Sequence, residues 1–234
     1  MVSTSPLAEV FAAQRRLAGL LDGITDASVR GPSALPGWSR AHVLSHLEGV
    51  GAALARQAAY AARGELIEVY DGGRPARDAA IEAGARRTAE ELRRAVLAVL
   101  AEAGTVWSAL GPGDWSRPVR YRDAEVTAAL LCWWRELEIH TADALIGHAP
   151  RDWSRPFCTH ALDFLAPRGP AGGLTLRATD GPEVYAVGTG PDAVTVRGAL
   201  SDLTAWMAGR TPESALDSTL DSGSAPLPEL GPWP

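Results

Sequence analysis

Apolar residues recur at helical spacing up to about position 150, with turn-forming segments between the apolar runs. This pattern predicts four long helices, the third of them in one or two pieces, over about Ser5–Ile24, Ser39–Ala62, Pro75–Leu110 and Asp123–Ile146. Long helices joined by short connections favour an antiparallel four-helix bundle, in which each helix buries an apolar face against its neighbours.

Polar and glycine residues indicate where these helices begin and end. Ser39 and Asp123 stand where an N-cap is expected. Thr88 is followed three residues later by Glu91, which is the spacing of a capping box and can restart the third helix. Gly147 predicts the end of the fourth helix, because glycine readily takes the left-handed conformation that follows a helix.

The pattern changes after Pro150. Short alternating segments separated by Gly-Pro turns predict about three strands, flanked by two helices. These elements are expected at about Ser154–Leu165 (helix), Gly172–Thr179, Glu183–Val187 and Ala193–Arg197 (strands), and Ala199–Ala208 (helix). The predicted fold is therefore α+β: a helical metal-binding domain over residues 1–150, a small α/β domain over 151–211 and a Pro-rich tail over 212–234. The tail is expected to be extended or poorly packed, with Trp233 able to anchor its end.

The fourth predicted helix carries Glu136 and His140, whose spacing of four places them on one face. Trp133, Trp134 and other apolar residues supply enough surface to bury this helix on more than one side. Because burying a charged pair alone is costly, the pair needs a partner. A carboxylate and an imidazole that converge in this way form half of a metal site.

His46 on the second predicted helix is the expected partner, since bundles build metal sites from side chains on facing helices. Two imidazoles and one carboxylate suit a zinc-like ion and leave a coordination position open, as in catalytic sites. His42 precedes His46 by four residues, so those two could instead form a ligand pair, and spacing alone does not choose between them. Cys132 precedes Glu136 by four and could face the same site, and Asp143 could accept a hydrogen bond from His140.

Composition narrows the class of protein. The net charge of −6 provides no basic face for phosphate contacts, so no nucleic-acid partner is expected. No 18-residue apolar run occurs, so no membrane partner is expected. Two cysteines, Cys132 and Cys158, cannot form a disulfide framework, and the first residues lack the order of a signal peptide. A cytoplasmic protein, monomeric or a small homo-oligomer, is the simplest expectation.

Three segments together resemble the mycothiol-dependent maleylpyruvate isomerase family. Leu35–Leu47 resembles its Pro-Gly-Trp-Ser/Thr…His-Leu signature, and Arg135–Asp143 resembles its Arg-Glu-xxx-His-xx-Asp block. Val196–Arg210 is similar to the end of its small C-terminal α/β domain. The matches span nearly the whole chain in the same order as in the family, and they include a Pro-rich tail that ends in Pro-Trp-Pro.

The resemblance implies a DinB-like four-helix bundle with a zinc site formed by His46, Glu136 and His140. It implies a catalytic or substrate-binding role for Arg210, a cation suited to one carboxylate of a dianionic keto acid. It favours His46 over His42 and leaves Cys132 as a bystander.

The implied reaction is cis–trans isomerisation of maleylpyruvate to fumarylpyruvate, a step of gentisate degradation, with mycothiol as cosubstrate. A thiolate adds to the conjugated alkene, the resulting single bond rotates, and elimination restores a trans double bond. Zinc can assist by depressing the thiol pKa or by polarising the substrate carbonyl. Two alternatives share this layout: a mycothiol S-transferase acting on another electrophile, and a zinc-binding module without turnover.

Overall fold

The computed structural model describes residues 5–188, 190, 193–220 and 223–234. The chain divides into two compact units, Met1–His148 and Ala149–Pro234. Within the described ranges the first unit contains six α-helices: α1 Pro6–Leu20, α2 Asp26–Arg30, α3 Arg40–Ala62, α4 Gly73–Gly84, α5 Ala89–Ala109 and α6 Val126–Asp143. The described residues of the second unit form α7 Arg155–Leu165, α8 Leu200–Met207 and five strands: β1 Leu174–Ala178, β2 Val184–Val187, β3 Val194–Gly198, β4 Asp217–Leu220 and β5 Gly223–Ser224. The α+β class predicted from the sequence is confirmed.

The first unit is a four-helix bundle of α1, α3, α5 and α6, with α4 packed on α3. The third predicted helical region is in two pieces, α4 and α5. Ser39 and Thr88 each accept a hydrogen bond from the backbone three residues on, so both predicted caps are confirmed. Apolar residues at helical spacing, such as Val10 and Leu17 on α1, are fully buried between the helices.

Gly51 allows α3 and α6 to approach closely. A methyl group added at Gly51 would lie 2.8 Å from the ring of Trp133, which is buried on α6. A larger residue at position 51 would therefore push α3 away from α6. The absence of a side chain at this position brings the two predicted ligand-bearing helices together.

The predicted ends of the fourth bundle helix were wrong by a few residues. α6 begins at Val126, and Asp123 is not its N-cap but the last residue of a short 3₁₀ turn with a left-handed backbone (φ 48°). A bridge between Pro118 and Glu125 closes this loop and delays the helix. At the other end Leu145, with φ 53°, is the first left-handed residue after the helix, two positions before Gly147.

In the second unit, the sheet has the strand order β2-β1-β3-β4-β5. β1 and β3 are parallel, whereas the other neighbouring pairs are antiparallel. α7 packs against α8, and α8 packs against β1 and β3.

The segment after Thr211 contributes more structure than its composition indicated, because β4 and β5 extend the sheet beyond the three predicted strands. Backbone pairing with β3 holds β4 in place without requiring an apolar pattern. The ring of Trp233 lies 6.0 Å from that of Phe164 on α7, which anchors the end of the chain as expected. None of the helices in the described ranges combines the length and apolarity needed to cross a bilayer.

Candidate metal centre

Three side chains from α3 and α6 converge in the first unit. His46 is buried on α3, and Glu136 and His140 lie one turn apart on α6. Nε2 of His46 lies 2.8 Å from Oε2 of Glu136, and Nε2 of His140 lies 3.2 Å from the same oxygen. One potential ligand atom from each residue lies within 4.8 Å of the others. The structure thus brings together the trio that the sequence singled out.

His42 has a different task. Its Nδ1 lies 3.2 Å from the backbone nitrogen of Ser39 and 2.7 Å from the Ser39 hydroxyl, so its ring completes the capping box at the start of α3. Its Nε2 lies 3.5 Å from a carboxylate oxygen of Glu82 on α4. Both ring nitrogens of His42 therefore have partners away from Glu136, which favours His46 as the third candidate ligand.

Asp143 orients His140. Its carboxylate, on a side chain that is almost fully buried, lies 2.9 Å from Nδ1 of His140. Since an ionised carboxylate only accepts, Nδ1 carries the hydrogen and Nε2 faces Glu136. This carboxylate–histidine pairing is the usual support of a metal-ligating imidazole, and it fixes the ring in the orientation that a metal requires.

The electrostatics keep the carboxylate ionised. Burial raises the pKa of Glu136, but hydrogen bonds from His140 and His46 outweigh it and hold the pKa well below its usual range. Burial lowers the pKa of His46, which therefore stays neutral near pH 7. Burial also opposes protonation of His140, yet its bonds to Asp143 and Glu136 raise the pKa of that imidazole to about 9. Glu136 therefore offers an anionic oxygen, and His46 and His140 each offer a ring nitrogen. These three atoms could bind a cation once the protons between them are released.

Residues 10–145 match the model of the mycothiol maleylpyruvate isomerase N-terminal domain, and residues 152–230 match that of the MDMPI C-terminal domain. The chain belongs to the mycothiol-dependent maleylpyruvate isomerase family. Two solved structures share its fold: a mycothiol-dependent maleylpyruvate isomerase, and a mutant of that enzyme with one histidine replaced by alanine. Each is 22% identical with a TM-score of 0.84, over 97% of this chain and 95% of the other. A search of curated proteins found no match.

Arg210, to which the family resemblance gave a role, belongs to the second unit and follows α8. One of its guanidinium nitrogens donates to the carbonyl oxygen of Ala208 at 2.7 Å. Its guanidinium carbon lies 5.9 Å from the ring centre of Trp233, within the range of a cation–π contact. The side chain is thereby held in one orientation, and its role toward a substrate stays a prediction.

Cys132 lies beside the three metal-ligating candidates without joining them. Its sulfur is 3.9 Å from Oε1 of Glu136, and the thiol also bonds to Tyr121. Burial and the nearby carboxylate raise the pKa of Cys132 to about 12, so its thiol stays protonated at neutral pH. A protonated thiol is a poor nucleophile, which agrees with a bystander role for this residue.

Three further side chains lie around His46, and only Trp38 was part of a pattern seen in the sequence, the Pro-Gly-Trp-Ser segment of the family signature. The ring of Trp38 meets that of His46 edge-on at 5.8 Å. From α4 and the loop before it come Arg77, with Nη2 at 3.1 Å from Nδ1 of His46, and Tyr70, whose ring centre is 6.0 Å from the Arg77 guanidinium. α4 is a mostly exposed helix, so no apolar periodicity distinguishes Arg77 from the other arginines of the chain.

Proposed function

We propose that this family member is a mycothiol-dependent isomerase that converts maleylpyruvate to fumarylpyruvate. The observation that carries the proposal is the convergence of His46, Glu136 and His140 in a chain whose two parts match the two family models. An open three-ligand site and a separate guanidinium-bearing domain suit a reaction between a thiol and a small dianion better than a purely structural metal site.

The three residues fit a divalent ion, most simply zinc, because two imidazole nitrogens and an ionised carboxylate form a donor set that zinc accepts. Nε2 of His46, Nε2 of His140 and a carboxylate oxygen of Glu136 would hold it. When bound, such an ion supplies Lewis acidity, which favours a thiolate over a thiol and polarises a carbonyl oxygen.

The remaining roles belong to the chain's own side chains. Asp143 holds His140 in its ligand orientation through Nδ1. Cys132 is not one of the three candidate ligands and its thiol is buried, which supports mycothiol as the source of the attacking sulfur. Arg210 is proposed to bind one substrate carboxylate, since a guanidinium pairs with a carboxylate through two parallel hydrogen bonds. The thiolate adds to one alkene carbon, the electron pair moves onto the conjugated carbonyl, and after rotation the same bond breaks to release the thiol.

The test is an absorbance assay of maleylpyruvate isomerisation with purified protein, with and without mycothiol, before and after chelation. Activity that requires both thiol and metal, and falls at least ~100-fold in Glu136→Ala, supports the proposal, because mutations of a metal ligand remove the ion and its chemistry. Glu102→Ala is the matched control, since Glu102 lies exposed on α5.

Two outcomes would overturn the isomerase assignment. The first is no turnover by a folded, zinc-loaded protein supplied with mycothiol. The second is accumulation of a stable thioether in place of fumarylpyruvate, which would instead assign the S-transferase reaction. Turnover that survives loss of the metal would contradict the proposed site.

A further inference from the structure

Arg77 contacts His46, one of the proposed metal ligands, at the ring nitrogen that does not face Glu136. Its Nη2 lies 3.1 Å from Nδ1 of His46, and its Nη1 donates to the exposed Asp78 carboxylate at 2.7 Å. The arginine side chain is 27% exposed, so solvent and small solutes reach it. A cation beside a buried histidine that faces a metal site calls for an explanation.

Hydrogen-bond chemistry fixes the state of His46 in this contact. A guanidinium has only donors, so Nδ1 of His46 must accept from Arg77. The hydrogen of the neutral ring is then on Nε2, which donates to Oε2 of Glu136 at 2.8 Å. In this tautomer Nε2 has no lone pair to offer a metal ion.

Binding a metal reverses the requirement. When His46 gives its Nε2 lone pair to an ion, the ring hydrogen moves to Nδ1, and Nδ1 becomes a donor. Two donors then face each other across the 3.1 Å contact, which is repulsive. His140 has no such conflict, because Asp143 accepts from its Nδ1 in the metal-bound tautomer as well. The contact with Arg77 is therefore compatible only with the metal-free state.

The substrate class supplies a use for the released guanidinium. Under the proposed function the substrate carries two carboxylates, and a guanidinium pairs well with a carboxylate. Arg77 is part-exposed at the edge of the ligand cluster, on a long side chain that also contacts Asp78 and Tyr70. Asp78 is 61% exposed, so solvent screening weakens its pairing with Arg77. When the guanidinium moves, the hydrogen bond between Arg77 and His46 is replaced by a charge-assisted hydrogen bond between Arg77 and a carboxylate.

We propose that Arg77 is a substrate-binding residue whose guanidinium is held by His46 in the metal-free protein and is released by metal binding to pair with a carboxylate of the substrate. The proposal rests on the proposed function for the identity of the substrate. It couples two events that would otherwise be independent, metal loading and recognition of the anion.

The experiment measures binding of maleate, without any thiol, by titration calorimetry of the wild type and Arg77→Gln, each zinc-loaded and metal-free. The expected result is a loss of about 10-fold or more in maleate affinity for loaded Arg77→Gln, in line with one charge-assisted hydrogen-bonded pair. In the metal-free proteins the same substitution is expected to change the maleate affinity by less than about 2-fold, because the guanidinium of Arg77 is already bonded to His46. Arg77→Lys is expected to recover part of the loss, since it keeps the charge without the fork.

A second readout is zinc affinity, measured by competition with a chelator. Arg77→Gln is expected to bind zinc at least as tightly as the wild type, because a glutamine carbonyl can accept from Nδ1 of metal-bound His46. If Arg77 merely positioned His46 for the metal, zinc affinity would instead fall. Arg94→Gln is the matched control, since it removes the same charge from an exposed side chain on α5.

Maleate affinity that is unchanged in loaded Arg77→Gln, an equal loss in the loaded and metal-free proteins, or a tenfold weaker zinc affinity would each overturn the proposal. So would failure of the loaded wild type to bind maleate. None of these readouts depends on turnover, so failure of this inference and failure of the isomerase assignment can be told apart. If turnover occurs, Arg77→Gln should raise KM for maleylpyruvate more than it lowers kcat.

Discussion

Two histidines one turn apart on α3 perform different tasks because their ring nitrogens meet different atoms. His42 bonds to Ser39 and caps the helix, whereas His46 faces Glu136 on α6. The spacing of four residues places both side chains on one side of the helix. Their roles differ because His46 lies one turn further along α3, where its ring meets Glu136. Only the deeper histidine reaches the carboxylate.

Replacing His42 by alanine should therefore weaken the helix end and leave the proposed metal site intact. The expected cost is below about 1 kcal/mol in the free energy of unfolding, because Ser39 remains the N-cap and only the reciprocal bond from His42 is lost. Zinc stoichiometry should stay at one ion per chain, whereas His46→Ala should abolish tight zinc binding. Denaturant unfolding and metal analysis check both statements; a zinc content that falls in His42→Ala would place His42 among the ligands.

The contacts among the candidate residues could be predicted where those residues lie on one helix. Glu136, His140 and Asp143 lie within eight positions, so helical spacing alone places them on adjacent faces. The choice between His42 and His46 needed the family resemblance, because it depends on how two helices dock. The contact between Arg77 and His46 could not be predicted from the sequence, because it depends on how α4 packs against α3.

At the scale of elements, Gln57 ties the loops on either side of the ligand cluster to α3. It is almost fully buried, its Oε1 accepts from the backbone nitrogens of Arg120 and Tyr121 at 2.8 and 3.1 Å, and its Nε2 donates to the carbonyl of Ile67 at 2.6 Å. One amide side chain therefore anchors the loop before α4 and the loop before α6. Tyr121, whose backbone bonds to Gln57, has a side chain that bonds to Cys132.

The close approach of α3 and α6 makes Gly51→Ala informative. The added methyl group would meet the Trp133 ring at 2.8 Å, so the helices must separate or the ring must leave its rotamer. Overpacking of this kind costs about 1–3 kcal/mol in the free energy of unfolding. We also expect weaker zinc binding, because His46 and the α6 ligands move apart.

Gly49→Ala is the matched control, because Gly49 lies on the same helix with nothing within 4 Å of an added methyl group. Alanine favours helix over glycine by up to about 1 kcal/mol, so Gly49→Ala should stabilise the protein or leave it unchanged. Chelator competition and denaturant unfolding compare the two variants. Equal effects at both positions would show that the helix contact does not set the metal site.

Element boundaries were predicted less well than the elements themselves. α6 starts later than expected because Arg122 and Asp123 both take left-handed backbone conformations, which no residue pattern announced. β4 and β5 were missed because they are held by backbone pairing at the edge of the sheet, and a Ser- and Gly-rich segment carries no alternating apolar signal.

At the scale of the whole molecule, the second unit carries its own pH dependence. α8 has no capping side chain of its own; instead Asp180, beyond β1, accepts from the backbone nitrogen of Leu200 at 2.9 Å and pairs with Arg155 at 3.1 Å. Burial would raise the pKa of Asp180, but these partners lower it below its usual 3.8. The sheet and its helix are thus joined by an ionised carboxylate.

Acid should consequently loosen this unit. Because the folded pKa of Asp180 is depressed, its stabilisation is fully present above about pH 4 and is lost as the pH falls through the lower folded value. The protection factors of the α8 amides, which compare measured exchange with the intrinsic chemical rate at each pH, should fall between about pH 5 and pH 3. In Asp180→Asn this fall should be smaller, and protection at about pH 5 should already be lower.

Asp163→Asn, at an exposed position of α7, is the control and should behave as the wild type. Identical pH profiles for Asp180→Asn and the wild type would assign the acid sensitivity to another group.

The hydrogen bonds among His46, Glu136 and His140 also bear on the order in which the protein folds and binds a metal ion. Their polar atoms bond to one another, so the chain itself compensates for burying these three side chains. If they bind zinc as proposed, the fold is expected to form before the ion enters, in contrast to zinc fingers. A cell short of zinc would then hold folded protein that a returning supply could load without new translation.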